Sequence, residues 1–179
     1  EEKEEKKIQE IEKTRKEKKL EEKEEKILLI GVSYALLDLA ENFPMNLNHT
    51  TIIETGGMKG RRKELTKEEM HNILKNAFGL KNIHSEYGMT EMLSQAYSKG
   101  DGIFKPPPWM KVVIRDPLDP LTIIGDNKQG GINIIDLANM YSCPFIATQD
   151  LGSSCKNNNF SILGRFDNSD IRGCNLLLQ

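Results

Sequence analysis

From residue 27 onward, short apolar runs alternate with longer runs that have helical spacing. The stretches ILLIGV (27–32) and TTIIE (50–54) are apolar and β-branched, as expected of buried strands. SYALLDLAENF (33–43) and LTKEEMHNILKNAFG (65–79) repeat apolar residues every three or four positions, which predicts two helices. A further short strand is expected over residues 82–85. This strand, helix, strand, helix, strand order predicts a parallel sheet with crossover helices.

Cap residues mark the ends of both predicted helices. Ser33 occupies the position of a cap for the first helix. Thr66 precedes Glu69 by three residues, the spacing of a capping box, and Gly79 is a typical helix stop.

The two ends of the chain differ from this α/β part. Residues 1–26 are almost entirely Glu, Lys and Arg, with opposite charges four positions apart and no apolar heptad seam, so they predict a solvated helix. An added segment outside the domain is the alternative. After the rigid linker KPPPW (105–109), short strands and turns predict a small antiparallel β subdomain packed on the sheet. The expected divisions are therefore 1–26, 27–100 and 101–179.

Composition narrows the classes of function. The 179 residues are 37% hydrophobic and carry a formal net charge of −2, so a nucleic-acid partner is disfavoured. Cys143, Cys155 and Cys174 show neither a disulfide framework nor zinc spacing, which fits a reducing cytoplasm. The apolar run at 27–40 is too short for a membrane span and follows a charged segment, so we expect a soluble protein.

Two unusual loops follow neighbouring predicted strands at their carboxyl ends, where open parallel sheets bind ligands. They are Gly56-Gly57 and Tyr87-Gly88-Met89-Thr90-Glu91. Glycines allow close approach of backbone, an aromatic ring offers a stacking face, and Thr with Glu supplies oxygen ligands for a phosphate-bound magnesium. This combination suggests a nucleotide with its metal. The alternative is that the glycines only turn the chain, Tyr87 packs, and Glu91 faces water in the first turn of a helix.

Two later turns place charges where they can face the same ligand. TQDLG (148–152) contains Asp150, and GRFDNSDIRGC (164–174) contains Arg165, Asp167 and Arg172. Taken singly they are also explained as an ordinary Asp turn and a solvated strand end. We expect the Gly56-Gly57 loop, the Tyr87–Glu91 loop and Asp150 to converge on one cleft.

In this order, the three motifs resemble the signature of the adenylate-forming (acyl-activating) enzymes. The motifs are YGMTE (87–91), TQDLG (148–152) and GRFDNSDIRG (164–173). With IIETGGMKGRR (52–62) and IHSEYGMTE (83–91) added, residues from Ile27 to the C-terminus look most like the long-chain fatty acid acyl-protein synthetases of bacterial bioluminescence operons. The resemblance implies ATP and magnesium as cofactors, and a fatty acid that is activated as its acyl-adenylate.

The resemblance also implies roles for individual residues. Asp150 would accept hydrogen bonds from both ribose hydroxyls, Thr90 would touch the phosphate, and Glu91 would hold magnesium. Arg165 would contact the ribose or phosphate, and Asp167 would lie at the hinge between large and small domains. The residues expected to border the adenine are Gly56, Gly57, Tyr87, Gly88 and Met89, with Tyr87 stacking on it.

Two parts of the superfamily pattern are not found in this sequence. No Ser/Thr/Gly-rich phosphate loop precedes Ile27, so we expect weak AMP binding and little ATP-pyrophosphate exchange. No small domain with a catalytic lysine follows the last motif. In acyl-protein synthetases a cysteine near the C-terminus receives the acyl group instead, and Cys174 in RGCNLLLQ (172–179) matches it. Its other interpretation is a small buried hydrophobe.

The expected function is therefore activation of a long-chain fatty acid and its transfer to Cys174, with an acyl reductase as a partner protein. One alternative is a phenylacetate-type coenzyme A ligase. A second alternative is a non-catalytic interaction module with the charged helix as a spacer.

Overall fold

The computed structural model describes Lys16, Lys19, Leu20 and residues 25–57 and 65–166. The charged helix expected at 1–26 lies mostly outside these residues, although Lys16, Lys19 and Leu20 are helical. The strands and helices of the described parts are β1 (Ile27–Val32), α1 (Ser33–Asn42), β2 (Thr50–Thr55), α2 (Lys67–Phe78), β3 (His84–Tyr87), β4 (Ala96–Ser98), β5 (Ile103–Lys105), β6 (Met110–Arg115), β7 (Ile123–Ile124), β8 (Gln129–Asp136), β9 (Phe145–Ser154) and β10 (Phe160–Arg165).

The ten strands of the described residues form one sheet in the order β1-β2-β3-β4-β5-β10-β9-β8-β6-β7. β1, β2 and β3 are parallel neighbours, and the connecting helices make the predicted βαβαβ unit. The mixed α/β class is therefore confirmed. The separate antiparallel β subdomain is not confirmed. β4 pairs with β3, and the later strands extend the same sheet. The sequence patterns identify strands but not the neighbour to which each strand bonds.

The two helices share one hydrophobic core with the parallel strands. Met70, Leu74 and Phe78 recur every four residues along α2 and are almost fully buried. They meet Leu36 and Leu37 of α1 in the same cluster. Burying side chains of this size contributes about 1.5–3 kcal/mol each to the stability of the fold. This core therefore holds the two helices against the parallel strands whose loops follow them.

The caps of the two helices differ from each other. At α2 the capping box is confirmed, because the Thr66 hydroxyl accepts from the backbone N–H of Glu69 at 3.2 Å and the Glu69 carboxylate accepts from the N–H of Thr66 at 2.8 Å. Gly79 ends the helix with a φ of 65°. The predicted Ser33 cap is wrong, because Ser33 is the first helical residue and its hydroxyl points to Glu54 and Gly56.

The helix that the alternative interpretation of Glu91 assumes does not form. A short turn follows Thr90, and the chain then enters β4. The carboxylate of Asp136 accepts the backbone N–H groups of Leu93 and Ser94 at 3.1 and 2.9 Å, which takes donors that a helix would use. A contact distant in sequence thus overrides the local spacing.

A second core lies among the antiparallel strands. Its centre contains three aromatic rings, with Tyr87 edge-on to Phe104 and Phe160 at centroid distances of 6.0 and 5.4 Å. Ile132, Ile134 and other apolar residues of β6 and β8 complete it. Tyr87 therefore joins the parallel part of the sheet to the antiparallel part.

Candidate ligand-binding cleft

The predicted loops converge on one cleft of about 320 Å³ at the carboxyl ends of β2 and β3. It brings together residues that are far apart in the chain, as the sequence motifs predict. Its lining comprises Gly56, Gly57, Lys67, Glu86, Tyr87, Gly88, Met89, Thr148, Gln149, Asp150, Ile162, Gly164 and Arg165.

Asp150 is held at the cleft wall by residues from two other strands. The Tyr87 hydroxyl donates to its Oδ2 at 2.7 Å, and Nε of Arg165 lies 3.5 Å from its Oδ1. Arg165 faces Asp150 in the β9–β10 ladder, so the backbone register brings the two side chains together. The Asp150 side chain retains 18% exposure. A fixed carboxylate with room beside it is suited to accept hydrogen bonds from a ligand with hydroxyl groups.

Tyr87 is mainly a structural partner of Asp150 in this arrangement. Its side chain is only 7% exposed and its ring packs against Phe104 and Phe160, so little of a ring face is open to the cleft. Burial, followed by the negative charge of Asp150, raises the pKa of the Tyr87 hydroxyl. The hydroxyl therefore stays protonated and continues to donate to Asp150.

Glycines form two open parts of the wall. Gly56 has a φ of 73°, a conformation that side chains disfavour, and a Cβ on Gly57 would meet nothing within 4 Å. A Cβ on Gly88 would lie 3.2 Å from Cγ of Gln95. These positions leave the backbone accessible to a flat ligand.

Glu54, which the sequence motifs did not single out, lies buried beneath the cleft. Its fully buried carboxylate accepts from Nζ of Lys67 at 2.6 Å and from the Ser33 hydroxyl at 3.1 Å, and Nε2 of His71 lies 3.6 Å away. Burial opposes ionisation, but hydrogen bonds from His71 and Lys67 and the charge of Lys67 outweigh it and lower the pKa of Glu54 to about 2. Ser33 also reaches the carbonyl of Gly56 at 2.8 Å.

Glu86 also lines the cleft, although the sequence motifs assign it no role. Its Oε1 accepts from the Thr55 hydroxyl at 3.1 Å and its Oε2 from the Tyr97 hydroxyl at 3.0 Å. A signal for it was present, since a carboxylate directly before the Tyr-Gly step is unusual at the end of a buried strand.

The remaining predicted site residues lie outside the cleft lining or outside the described residues. Thr90 and Glu91 are exposed on the turn that follows Met89, and the backbone carbonyl of Glu91 accepts from Asn139 at 2.7 Å. Asp167, Arg172 and Cys174 belong to the part that is not described, while Cys143 is exposed and Cys155 half-buried.

Two further observations concern metals and membranes. Within residues 25–57 and 65–166, no group of three or more His, Cys, Asp or Glu side chains is arranged to hold a metal ion. None of the helices in the described parts of the chain is both long and apolar enough to cross a membrane.

A larger groove of about 650 Å³ lies elsewhere on the surface. It is bordered by the proline segment 106–108, Trp109, Leu93 and Tyr97. Since it contains none of the predicted site residues, the smaller cleft is the better candidate for the chemistry.

The fold is similar to that of several adenylate-forming enzymes of known structure. ATP-bound MatB from Rhodopseudomonas palustris matches with a TM-score of 0.56 and 19% identity, over 78% of this chain and 31% of that one. O-succinylbenzoate coenzyme A synthetase from Bacillus subtilis, in complex with ATP and magnesium, matches with a TM-score of 0.57 and 19% identity, over 86% of this chain and 34% of that one. The luciferase-like enzyme of the nonluminescent mealworm Zophobas morio matches with a TM-score of 0.59 and 15% identity, over 84% of this chain and 41% of that one. The chain thus spans about a third of the length of the first two.

The described residues therefore share the fold of adenylate-forming enzymes, over about a third of the length of MatB. The chain belongs to the family described as acyl-protein synthetase, LuxE, which matches residues 1–179. The match includes the charged N-terminal residues, which the sequence motifs leave out. No curated protein matches the sequence.

Proposed function

We propose that this chain is the nucleotide-binding and acyl-accepting part of a ligase that activates a long-chain fatty acid with ATP and transfers it to a cysteine thioester. The observation that carries the proposal is the hydrogen bond from Tyr87 to Asp150, which joins two motifs 63 positions apart at one cleft. Family membership supports the acyl-protein part of the proposal.

Asp150 is proposed to bind the ribose of the nucleotide. Tyr87 uses one lone pair of Oδ2 and Arg165 lies beside Oδ1, so each oxygen has capacity for a further donor. Two neighbouring hydroxyls on a ribose match two carboxylate oxygens. The base would then lie along the open glycine wall of Gly56, Gly57 and Gly88.

Two cations line the same cleft and suit the phosphates. Lys67 is 44% exposed in its side chain and Arg165 33% exposed, so both have surface that a ligand can contact. Each is also tied to a carboxylate, which fixes its position before a ligand arrives. Their proposed role is to stabilise the negative charge that shifts onto pyrophosphate or AMP during the reaction.

Magnesium fits the donors that this region supplies. Mg²⁺ commonly binds through one or two carboxylates together with substrate phosphates and waters, so a single exposed Glu91 is a sufficient protein ligand. Glu91 and Thr90 follow directly after Met89, which lines the cleft. Bound magnesium would neutralise phosphate charge, and Thr90 would orient a phosphate oxygen.

The proposed transfer has two balanced steps. A fatty-acid carboxylate oxygen attacks the α-phosphorus of ATP, which forms the acyl-adenylate and releases pyrophosphate. The Cys174 thiolate then attacks the acyl carbonyl carbon, the bond from that carbon to the AMP oxygen breaks, and AMP leaves. Arg172 near Cys174 in the sequence would favour the thiolate.

The thiol step can be tested without ATP by supplying a synthetic, labelled tetradecanoyl-adenylate to the 179-residue chain. We expect label on Cys174 that neutral hydroxylamine releases, because hydroxylamine cleaves thioesters. Cys174→Ser should abolish this label, whereas Cys143→Ser and Cys155→Ser should leave it unchanged. Acylation is read by mass spectrometry of the peptide that contains each cysteine.

Two other results would contradict the assignment. Labelling that survives Cys174→Ser would exclude Cys174 as the acceptor. Transfer to free coenzyme A in preference to any cysteine would favour the coenzyme A ligase alternative, in keeping with the fold shared with O-succinylbenzoate coenzyme A synthetase.

A further inference from the structure

Glu86 occupies a defined position at the end of β3. It faces Thr55 across the parallel β2–β3 ladder and Tyr97 across the antiparallel β3–β4 ladder. The three side chains therefore form a row, and the two hydroxyls hold one carboxylate oxygen each. A carboxylate fixed from both sides cannot turn away from the cleft that it lines.

Glu86 has hydrogen-bonding capacity that its protein partners do not use. An ionised carboxylate is an acceptor with about four lone-pair sites, and the hydroxyls of Thr55 and Tyr97 use two of them. At the cleft, Lys67 and His71 pair with Glu54, and Arg165 pairs with Asp150. A ligand that donates an N–H group would complement this acceptor.

The surroundings of Glu86 suit a flat heterocycle. Oε1 lies 4.0 Å from the position that a Cβ on Gly88 would take, so the carboxylate borders the open glycine wall. Gly56 and Gly57 follow directly after Thr55 and also line the cleft. Asp150 lies on β9 in the same cleft, so separate carboxylates are available for the sugar and for the base.

We propose that Glu86 determines the base preference of the cleft by accepting a hydrogen bond from the exocyclic amino group of adenine. Hypoxanthine and guanine carry a carbonyl oxygen at that ring position, which a carboxylate repels. This inference rests on the proposed nucleotide function and adds a specificity-determining residue to it. The amide in Glu86→Gln has a donor as well as an acceptor, so it tolerates both kinds of base.

The test compares AMP with IMP, which differ in the amino or carbonyl group at this ring position. Dissociation constants for the 179-residue chain are measured by saturation-transfer NMR, which detects weak ligands. Wild type should prefer AMP, and Glu86→Gln should reduce the ratio of the IMP constant to the AMP constant by about tenfold, as expected for one hydrogen bond to a charged group. Glu68→Gln, on the exposed side of α2, should leave the ratio unchanged.

A second variant and a stability measurement separate specificity from folding. Glu86→Asp keeps the charge but draws the carboxylate back, so it should also lose the AMP preference while its thermal midpoint is checked by circular dichroism. AMP binding with an unchanged ratio in both variants would overturn the role of Glu86 alone. Absence of AMP binding to wild type would overturn the proposed nucleotide function itself.

Discussion

Glu54 shows how a single residue can organise a site without lining it. Its carboxylate is fully buried, yet its partners Ser33 and Lys67 reach the cleft, one through the Gly56 carbonyl and the other directly. A buried carboxylate is costly unless its partners compensate for lost solvation. Removing it would leave the Lys67 ammonium and the Gly56 loop without their common anchor.

Stability at acid pH should depend on Glu54. Its pKa falls from 4.5 to about 2 on folding, so its contribution is present above pH 4.5 and is lost as the pH falls towards 2. A pKa lowered from 4.5 to about 2 corresponds to roughly 3 kcal/mol in the free energy of unfolding at neutral pH. Urea unfolding at several pH values should show this loss in wild type and a clearly smaller one in Glu54→Gln. Equal acid dependence in Glu54→Gln and wild type, with Glu68→Gln as the control, would contradict this role.

At the scale of elements, Asp136 joins the end of β8 to the segment that leads into β4. Its carboxylate is fully buried and accepts from Leu93 N–H, Ser94 N–H and the Ser94 hydroxyl, the last at 2.7 Å. The Ser94 hydroxyl also accepts from the indole N–H of Trp109 at 2.9 Å. The turn after the YGMTE motif is therefore fixed by a residue of the antiparallel half.

Asp136→Asn should be strongly destabilising. The amide has one acceptor oxygen in place of two, so its NH₂ group would face donors and leave them unsatisfied in a buried place. We expect a loss of about 2–3 kcal/mol in the free energy of unfolding, measured by urea at pH 7. Asp119→Asn is a matched control, since Asp119 accepts from Leu121 N–H and the Thr122 hydroxyl but is exposed. Similar costs for the two variants would show that Asp136 is not a structural link.

Over the whole molecule, the sequence predicted what local spacing determines. The capping box at Thr66 and the stop at Gly79 depend on neighbours within a few residues, whereas the parallel unit follows from the alternation of strands and helices along the chain. The structure has all three. The ordered motifs also predicted the meeting of the Gly56-Gly57 loop, Tyr87 and Asp150.

Contacts between distant residues account for what the sequence did not predict. The helix that the alternative interpretation of Glu91 assumes is absent, because Asp136 accepts the backbone N–H groups of Leu93 and Ser94 and a turn forms instead. Glu54 and Glu86 gained their importance from partners on other elements, such as Lys67 and Tyr97. The local sequence of β2 or β3 does not indicate those partners. The roles of Glu54 and Glu86 therefore follow only from the pairing of the strands and the packing of the helices.

The central claim, that Asp150 binds the ribose of a nucleotide, is tested most directly by comparing AMP with 2′,3′-dideoxy-AMP in wild type and Asp150→Asn. Saturation-transfer NMR on the 179-residue chain should show that wild type prefers AMP by about tenfold or more, as expected for hydrogen bonds to a charged acceptor. Asp150→Asn should remove most of this preference, because the amide accepts at one atom only, whereas Asp126→Asn on an exposed turn should keep it. A wild-type preference that persists in a folded Asp150→Asn variant would contradict the account.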